Sequence, residues 1–511
     1  VTRVRRAALT YGTGVLTTAV SMIARLVAVP FLLLWLGEER YGAFRAAVDW
    51  YAYLALMELG LAGALLPLLA RAFGRRDDPG LRSTLAAGIR AYARQTLLMV
   101  GAGMLLVMAL RYLVPVSADN VADLTLAALV LVAGLFLTPL LPFRLVAEAR
   151  QEGYRVNLLL LWQTLVIVGL ALLLAYLGWG ITGQTVALVV GSLFLFGTLT
   201  LREVVRDREI LRAALGRVRD SAPWQELWRL NWPTLIRQLC GSAALLSDRI
   251  IVAAFLGPAM VVPLFVTQRL AELARTQLQN VSGASWAGLA ELHAQREAAT
   301  FNRRIVELTN VVFAVGLAVL VPIVAYNHHF VRLWVGGERY AGELVTLVAG
   351  ANALLLSAVT LWDWAFGGTG QVAKLVPVSI VSTVINLGLS LTLTPRLGVV
   401  GPLLGTLCAT TVTSLWYVPL LLRRTFGMPL HALFRAAAVP MLWGVPFALA
   451  VWWLAHRSPD IWWAQLAAEM AAAAAVFLAL WWLVMLTAAE RRVNRERLQS
   501  VLARPGDGPG E

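Results

Sequence analysis

The residues of this sequence best placed to do chemistry are charged groups set inside apolar stretches. They are Arg25, Arg45, Arg237, Arg249, Arg269 and Arg275, accompanied by Asp49, Glu58, Asp248 and Glu272. A guanidinium at the middle of a bilayer costs about 2.5–3.5 kcal/mol on insertion scales, so each one implies a partner or a ligand. With all groups ionised, these six arginines exceed the four acids by two charges. The planar guanidinium donates paired hydrogen bonds to phosphate oxygens, and a cavity rich in arginine therefore suits a diphosphate. Thr13, Thr17, Ser21 and Arg25 recur every fourth residue, a single polar stripe expected to face a wet cavity. A packing role competes with that reading, with the hydroxyls bonded to carbonyls of their own helix and Arg25 paired with a helix carboxylate. Gln268, Arg269, Glu272, Arg275, Thr276 and Gln279 follow the same helical spacing.

The candidate contacts for an anionic substrate are thus Arg25, Arg45, Arg237, Arg269, Gln268 and Ser21. Asp49, Glu58, Asp248 and Glu272 are candidates for ion coupling or charge balance. Arg45 and Asp49, four apart, also fit a simple pair along one helix, and Asp248–Arg249 also fits a structural clamp. No catalytic set is expected. His293, His328, His329, His431 and His456 lack metal-ligand spacing, no nucleophile has an evident base, and no metal or cofactor is anticipated. His328–His329 reads as a helix cap.

The elements that must carry these residues follow from composition. A chain of 511 residues, 59% hydrophobic and 14% charged, with a mean hydropathy of +0.72, is an all-α polytopic membrane protein. Apolar runs and their punctuation predict about 14 transmembrane helices: 9–36, 41–70, 84–113, 121–143, 157–178, 181–201, 230–256, 258–289, 305–327, 340–366, 373–394, 398–422, 434–456 and 461–488. The first is too long for a cleavable signal and reads as a retained span. Of the 43 basic residues, 29 fall on the side that holds both termini, 6 on the other and 8 within helices. By the positive-inside rule both termini are expected to be cytoplasmic. The basic balance then reports topology, and nucleic acid, which would need a basic patch on a soluble surface, is not an expected partner. Cys240 and Cys408 read as small buried residues, without a disulfide.

A repeat is visible in the punctuation. Leu36-Gly37 and Leu256-Gly257 lie 220 positions apart, as do Leu177-Gly178 and Leu397-Gly398, and Gly169 and Gly388 lie 219 apart. Small residues at every fourth position mark Gly183, Ala187 and Gly191, then Gly401, Gly405 and Ala409. These matches predict two pseudo-symmetric six-helix lobes, residues 1–220 and 221–428, related by an axis along the membrane normal. Residues 429–490 add two helices, and 491–511 form a cytoplasmic tail. The polar residues concentrate on the first, second, seventh and eighth helices, so a cavity lined by those four is expected. Trp443, Trp452, Trp453, Trp462, Trp463, Trp481 and Trp482 in the added pair fit either interfacial belts or a groove for a lipid chain.

LWLGEERYGAFRAAVDWYAYLALMELGLAGALLPLLAR resembles the first signature of the bacterial polysaccharide-biosynthesis flippases. LLSDRIIVAAFLG, RLWVGGERYAGELVTLVAG and GGTGQVAKLVPVSIVSTVINLGLSLTLTPRLGVVGPLLGTL are similar to later ones, in order, over residues 9–425. That family belongs to the multidrug, oligosaccharidyl-lipid and polysaccharide exporter superfamily. The resemblance implies two six-helix bundles that alternate between inward-open and outward-open states. It also implies a substrate, an undecaprenyl-diphosphate-linked oligosaccharide or cell-wall precursor, moved from the cytoplasmic to the outer leaflet. Lipid II flippases are similar in carrying arginines on helices 1, 2 and 8, where Arg25, Arg45 and Arg269 fall. Membrane lipids are the other expected partners, and H+, Na+ or the membrane potential the driving force. Two other classes stay open: a multidrug exporter of the same superfamily, and a membrane glycosyltransferase or polymerase.

Overall fold

A computed structural model describes residues 3–56, 61–75, 77–150, 152–207, 222–284, 286–457, 461–487, 490–492 and 495. Their regular structure is helical, with no strand among the described residues. In chain order the helices are α1 (Arg3–Leu56), α2 (Leu61–Gly74), α3 (Asp78–Leu113), α4 (Ala118–Gly134), α5 (Leu141–Ala149), α6 (Gly153–Tyr176), α7 (Gly180–Arg206) and α8 (Ala222–Leu256). They continue with α9 (Val261–Ala284), α10 (Trp286–Ala294), α11 (Ala298–Val335), α12 (Glu343–Gly368), α13 (Val376–Leu397), α14 (Gly401–Val412), α15 (Ser414–Phe426), α16 (Leu430–Ala455) and α17 (Trp463–Leu480). The chain forms two compact units. The first comprises Val1–Val266 with Ser379–Ala409, and the second Thr267–Val378 with Thr410–Glu511.

Ten stretches among the described residues are long and apolar enough to cross a membrane, or eleven when the bent pair Ile236–Ala244 and Leu246–Leu256 counts as one. Two of the ten hold more than one expected crossing: Gly12–Leu54 carries the first and the start of the second, and Val372–Phe426 carries the eleventh and twelfth. The eighth expected span falls on α9, whose charged residues lower its hydropathy. The protein is thus a multi-pass, all-α membrane protein, with helices consistent with fourteen crossings. One boundary differs: α11 runs on to Val335, so His328 and His329 lie within the helix and do not cap it.

The duplicated glycines have matching backbones. Gly37 breaks α1 at φ 76°, and Gly257, which follows α8, has φ 89°. Gly178 and Gly398, the second pair, have φ 78° and 68°. Side chains rarely adopt this left-handed region, so glycine ends or breaks a helix at each of these four positions. The small-residue stripes also behave alike. A Cβ on Gly191 would strike Ile167 of α6, and one on Gly405 would strike Ser390 of α13, so each stripe lets its helix approach the preceding one.

Within the first unit, Gly42 brings α1 against the turn at Pro258–Met260. A Cβ there would overlap the Pro258 carbonyl, a backbone atom that cannot step aside. Gly42→Ala is expected to lower thermal stability in detergent by about 1–3 kcal/mol, the usual cost of overpacking. Unfolding monitored by intrinsic tryptophan fluorescence measures this, and an unchanged midpoint would remove the close approach as a determinant of the fold.

The ends of α3, α5, α6 and α7 that carry the basic loops are tied together by ion pairs. Arg150 meets Glu203 at 2.8 Å, with both side chains buried, and Arg82 meets Asp207 at 2.8 Å. Glu152 accepts from Arg202 and lies 3.3 Å from Arg206. Burial works against the Glu152 charge, but the hydrogen bond and charge of Arg202, with Arg155 and Arg206, hold its carboxyl below the usual carboxylate range. Loops that the charge count assigns to one side thus meet at one end of this unit.

Candidate functional site

The site is built on the two arms of α1 and on α8, all within the first unit. Pro30 lies inside the first arm, and Gly37 ends it. The second arm, seated by Gly42 on the Pro258 turn, carries Arg45, Asp49 and Tyr53 on one face. From α8 the facing residues are Ala243, Ser247, Asp248 and Arg249. Asp49 is buried, and its Oδ2 lies 3.1 Å from Arg249 Nε. The Tyr53 hydroxyl donates to the Ala243 carbonyl at 2.9 Å and sits beside Asp248 and Asp49. Asp248 is itself buried.

This pairing corrects one expectation. Asp49 does not neutralise Arg45 four residues earlier; it reaches across to Arg249, which becomes a clamp between α1 and α8. The physical reason lies in Arg45, whose guanidinium is placed over the Phe265 ring, 4.7 Å from its centroid. That cation–π contact turns the charge away from the Asp49 side of the helix. Arg45 Nε is buried without a hydrogen-bond acceptor among the described residues. Arg25, on the first arm, is exposed and close enough to Arg45 for their charges to repel. Among the described residues neither arginine forms an ion pair.

The polar stripe beside Arg25 is a second correction. Thr17 donates to the Asn157 carbonyl at 2.9 Å, and Ser21 donates to Thr164 Oγ1 at 3.2 Å. Asn157 Nδ2 donates in turn to the Thr10 carbonyl and to Thr13 Oγ1. Thr13, Thr17 and Ser21 therefore form the seam between α1 and α6, and Ser21 is committed to packing. Its helical period is real, but it reports a helix neighbour.

The other candidates are distributed. Arg237 is half-buried on α8. Gln268, Arg269 and Glu272 lie on the part of α9 that belongs to the second unit, with Gln268 buried and Arg269 Nη1 3.7 Å from Glu272 Oε2. Glu58 lies outside the described residues. Cys240 is half-buried and Cys408 exposed, the latter against expectation: α14 turns its Gly401–Gly405–Ala409 edge inward, and Cys408 lies off it. Of the tryptophans, Trp452, Trp453, Trp462 and Trp463 are exposed around the turn between α16 and α17, as a belt requires, while Trp481 Nε1 donates to Asn310 at 2.8 Å.

Sequence reasoning missed Tyr53 and Phe265. Tyr53 had a signal, since it continues the face of Arg45 and Asp49 at four-residue spacing. Phe265 had none, because an aromatic in an apolar run is unmarked.

The protein's long apolar helices define a multi-pass membrane protein, and among the described residues Arg25 and Arg45 form no ion pair with a carboxylate. The chain belongs to the family described as polysaccharide biosynthesis protein, whose sequence profile matches residues 9–276. No curated protein matches the sequence. Among solved structures, the lipid II flippase MurJ in its inward closed conformation superposes with a TM-score of 0.70 at 14% identity, covering 92% of this chain and 98% of that one. An inward-facing multidrug resistance MATE family transporter of the MOP superfamily gives 0.63 at 17% identity, covering 86% and 98%. A MOP superfamily transporter from Pyrococcus furiosus, described as having a binding pocket of reverse polarity, gives 0.57 at 15% identity, covering 87% and 96%. At these identities the likeness is one of fold.

Proposed function

We propose that this chain is an alternating-access flippase. It moves an undecaprenyl-diphosphate-linked oligosaccharide or cell-wall precursor from the cytoplasmic to the outer leaflet of the bacterial inner membrane, with both termini cytoplasmic. The observation that carries this reading is that Arg25 and Arg45, on the two arms of α1, are within electrostatic range of each other and meet no carboxylate among the described residues. Two like charges in such a setting are stabilised by an anion that bridges them, and a diphosphate offers several oxygens to paired N–H donors.

In this reading Arg45, held on Phe265, is the fixed donor and Arg25 the mobile one. The Asp49–Arg249 pair holds α1 to α8 without drawing charge from the donors. Asp248 beside Tyr53 is the acid best placed to couple a proton or Na+. The membrane potential supplies a further ~2.3 kcal/mol per charge per 100 mV to an anion moving outward. The likeness to MATE transporters raises a second reading, drug export, but a cationic drug gains nothing from two unpaired arginines.

The deciding experiment reconstitutes the full chain in proteoliposomes loaded with an undecaprenyl-diphosphate-linked sugar and follows the sugar's accessibility to an external lectin. Transfer well above that of protein-free vesicles is expected. Transfer equal to protein-free vesicles, with drug uptake in the same vesicles, would instead support export of cations.

A further inference from the structure

The second unit contains an open trough of about 970 Å³ between α11, α12 and α16 that no part of the proposed transport reaction uses. Leu317 and Val324 of α11, Leu344 and Leu347 of α12, and Val445 and Leu449 of α16 make its walls apolar. Leu344, Leu347 and Leu449 are each more than half exposed, so the trough is open along the unit's side.

One end is bridged from wall to wall. His456, the residue after α16, stands against Glu343, the first residue of α12, with its Nε2 3.1 Å from Oε1. Its Nδ1 lies 2.8 Å from the Trp452 carbonyl in the last turn of α16. A carbonyl and a carboxylate only accept, so both ring nitrogens must donate, and the arrangement is that of the imidazolium. The helix dipoles favour the same placement, a cation at the C-terminal end of α16 and a carboxylate at the N-terminal end of α12.

Other titratable groups gather around the pair. Among the described residues that line the trough they are His328, His329 and Arg332 of α11 and Tyr340 of the following loop, with Glu343 the one acid. His329 Nε2 bonds the Ala455 carbonyl at 3.0 Å, and the His328 ring lies 5.1 Å from that of Tyr340. Arg457, next in sequence, is placed over the Trp453 ring at 3.8 Å. His456 itself lies just outside the apolar span Leu430–Ala455. Although burial opposes its charge, the Trp452 carbonyl and Glu343 carry its pKa above the ordinary histidine value. A pKa raised by folding means that the bond's contribution is complete below the ordinary value of about 6.5 and is lost as pH rises through the raised one.

We propose that His456 and Glu343 form a proton-dependent latch, which holds the end of α16 against the start of α12 and closes that end of the trough while the imidazole is charged. When the proton leaves Nε2, the ring keeps its bond to Trp452 through Nδ1 and presents a lone pair to the carboxylate. The pair then parts, and the trough opens at that end. Both side chains are partly exposed, so the latch shifts its local equilibrium by up to about fivefold, the range of an exposed ion pair.

The test is hydrogen exchange of the purified full chain in detergent, read by mass spectrometry on peptides covering residues 343–348 and 450–457. At each pH the native chain is compared with His456→Gln, which cancels the intrinsic pH dependence of exchange. At about pH 6 the native peptides are expected to be about three- to fivefold more protected than those of His456→Gln, and at about pH 9 the two should agree within about twofold. Glu343→Gln should lose the same protection, and combining the two substitutions should remove no more than either alone. A native-to-variant ratio that is the same at both pH values, or native protection in Glu343→Gln, would overturn the latch. Histidine-labelled protein gives an independent check by NMR. The His456 ring is expected to titrate above the ordinary histidine value and to fall back toward it in Glu343→Gln, and an ordinary titration in the native chain would also overturn the proposal. None of these readouts depends on translocation.

Discussion

Arg25→Ala is expected to abolish translocation of the diphosphate-linked sugar, and Arg45→Gln to slow it by about ten- to a hundredfold, with membrane insertion and thermal stability unchanged. A hydrogen bond to a charged group contributes about 1.5–3 kcal/mol, and each 1.4 kcal/mol is a factor of ten. Stability should hold because neither arginine has an ion-pair partner among the described residues, so its removal strands no buried acid there. Arg45→Lys separates charge from geometry. It keeps the cation over Phe265, 4.7 Å away in the native chain, but loses the paired donors, and an intermediate rate is expected. Initial rates in proteoliposomes, compared at equal protein incorporation, give the answer. Native rates in both Arg25→Ala and Arg45→Gln would end their assignment as diphosphate donors.

Asp49→Ala should have the opposite profile, a protein that folds poorly. Its carboxylate is buried and Arg249 is largely covered, and breaking a buried pair from one side costs up to about 3–5 kcal/mol because the remaining charge is left unmatched. Replacing both partners with apolar residues, Asp49→Leu with Arg249→Met, should recover most of the loss, since the desolvation of two ions disappears along with their attraction. Yield of monodisperse protein and the midpoint of thermal unfolding are the measurements. If the single variant is as stable as the native chain, the pair does not hold α1 to α8. If the double variant folds but fails to transport, the pair has a role beyond holding the helices.

What could be read in advance divides along physical lines. Crossings were legible because a bilayer demands long apolar runs whatever their neighbours, and four helix breaks were legible because Gly37, Gly178, Gly257 and Gly398 sit where other residues are strained. The presence of intramembrane arginines was equally plain. Their partners were not. Arg45 and Asp49 share a helix face, yet Asp49 chose Arg249, roughly two hundred positions away in sequence, because Phe265 offered Arg45 a different resting place. The Thr13–Ser21 stripe shows the same limit. A helical period reveals that one face is polar, but whether it meets water or the amide of Asn157 is decided by a helix whose approach no local pattern encodes.

Gly37 interrupts α1 between Arg25 and Arg45. The two cations are therefore fingers on either side of a knuckle, and their separation follows from the two torsions of one residue. If the two arginines hold the diphosphate of the proposed substrate, flexing that knuckle would release it with no charged side chain exchanged and no proton moved.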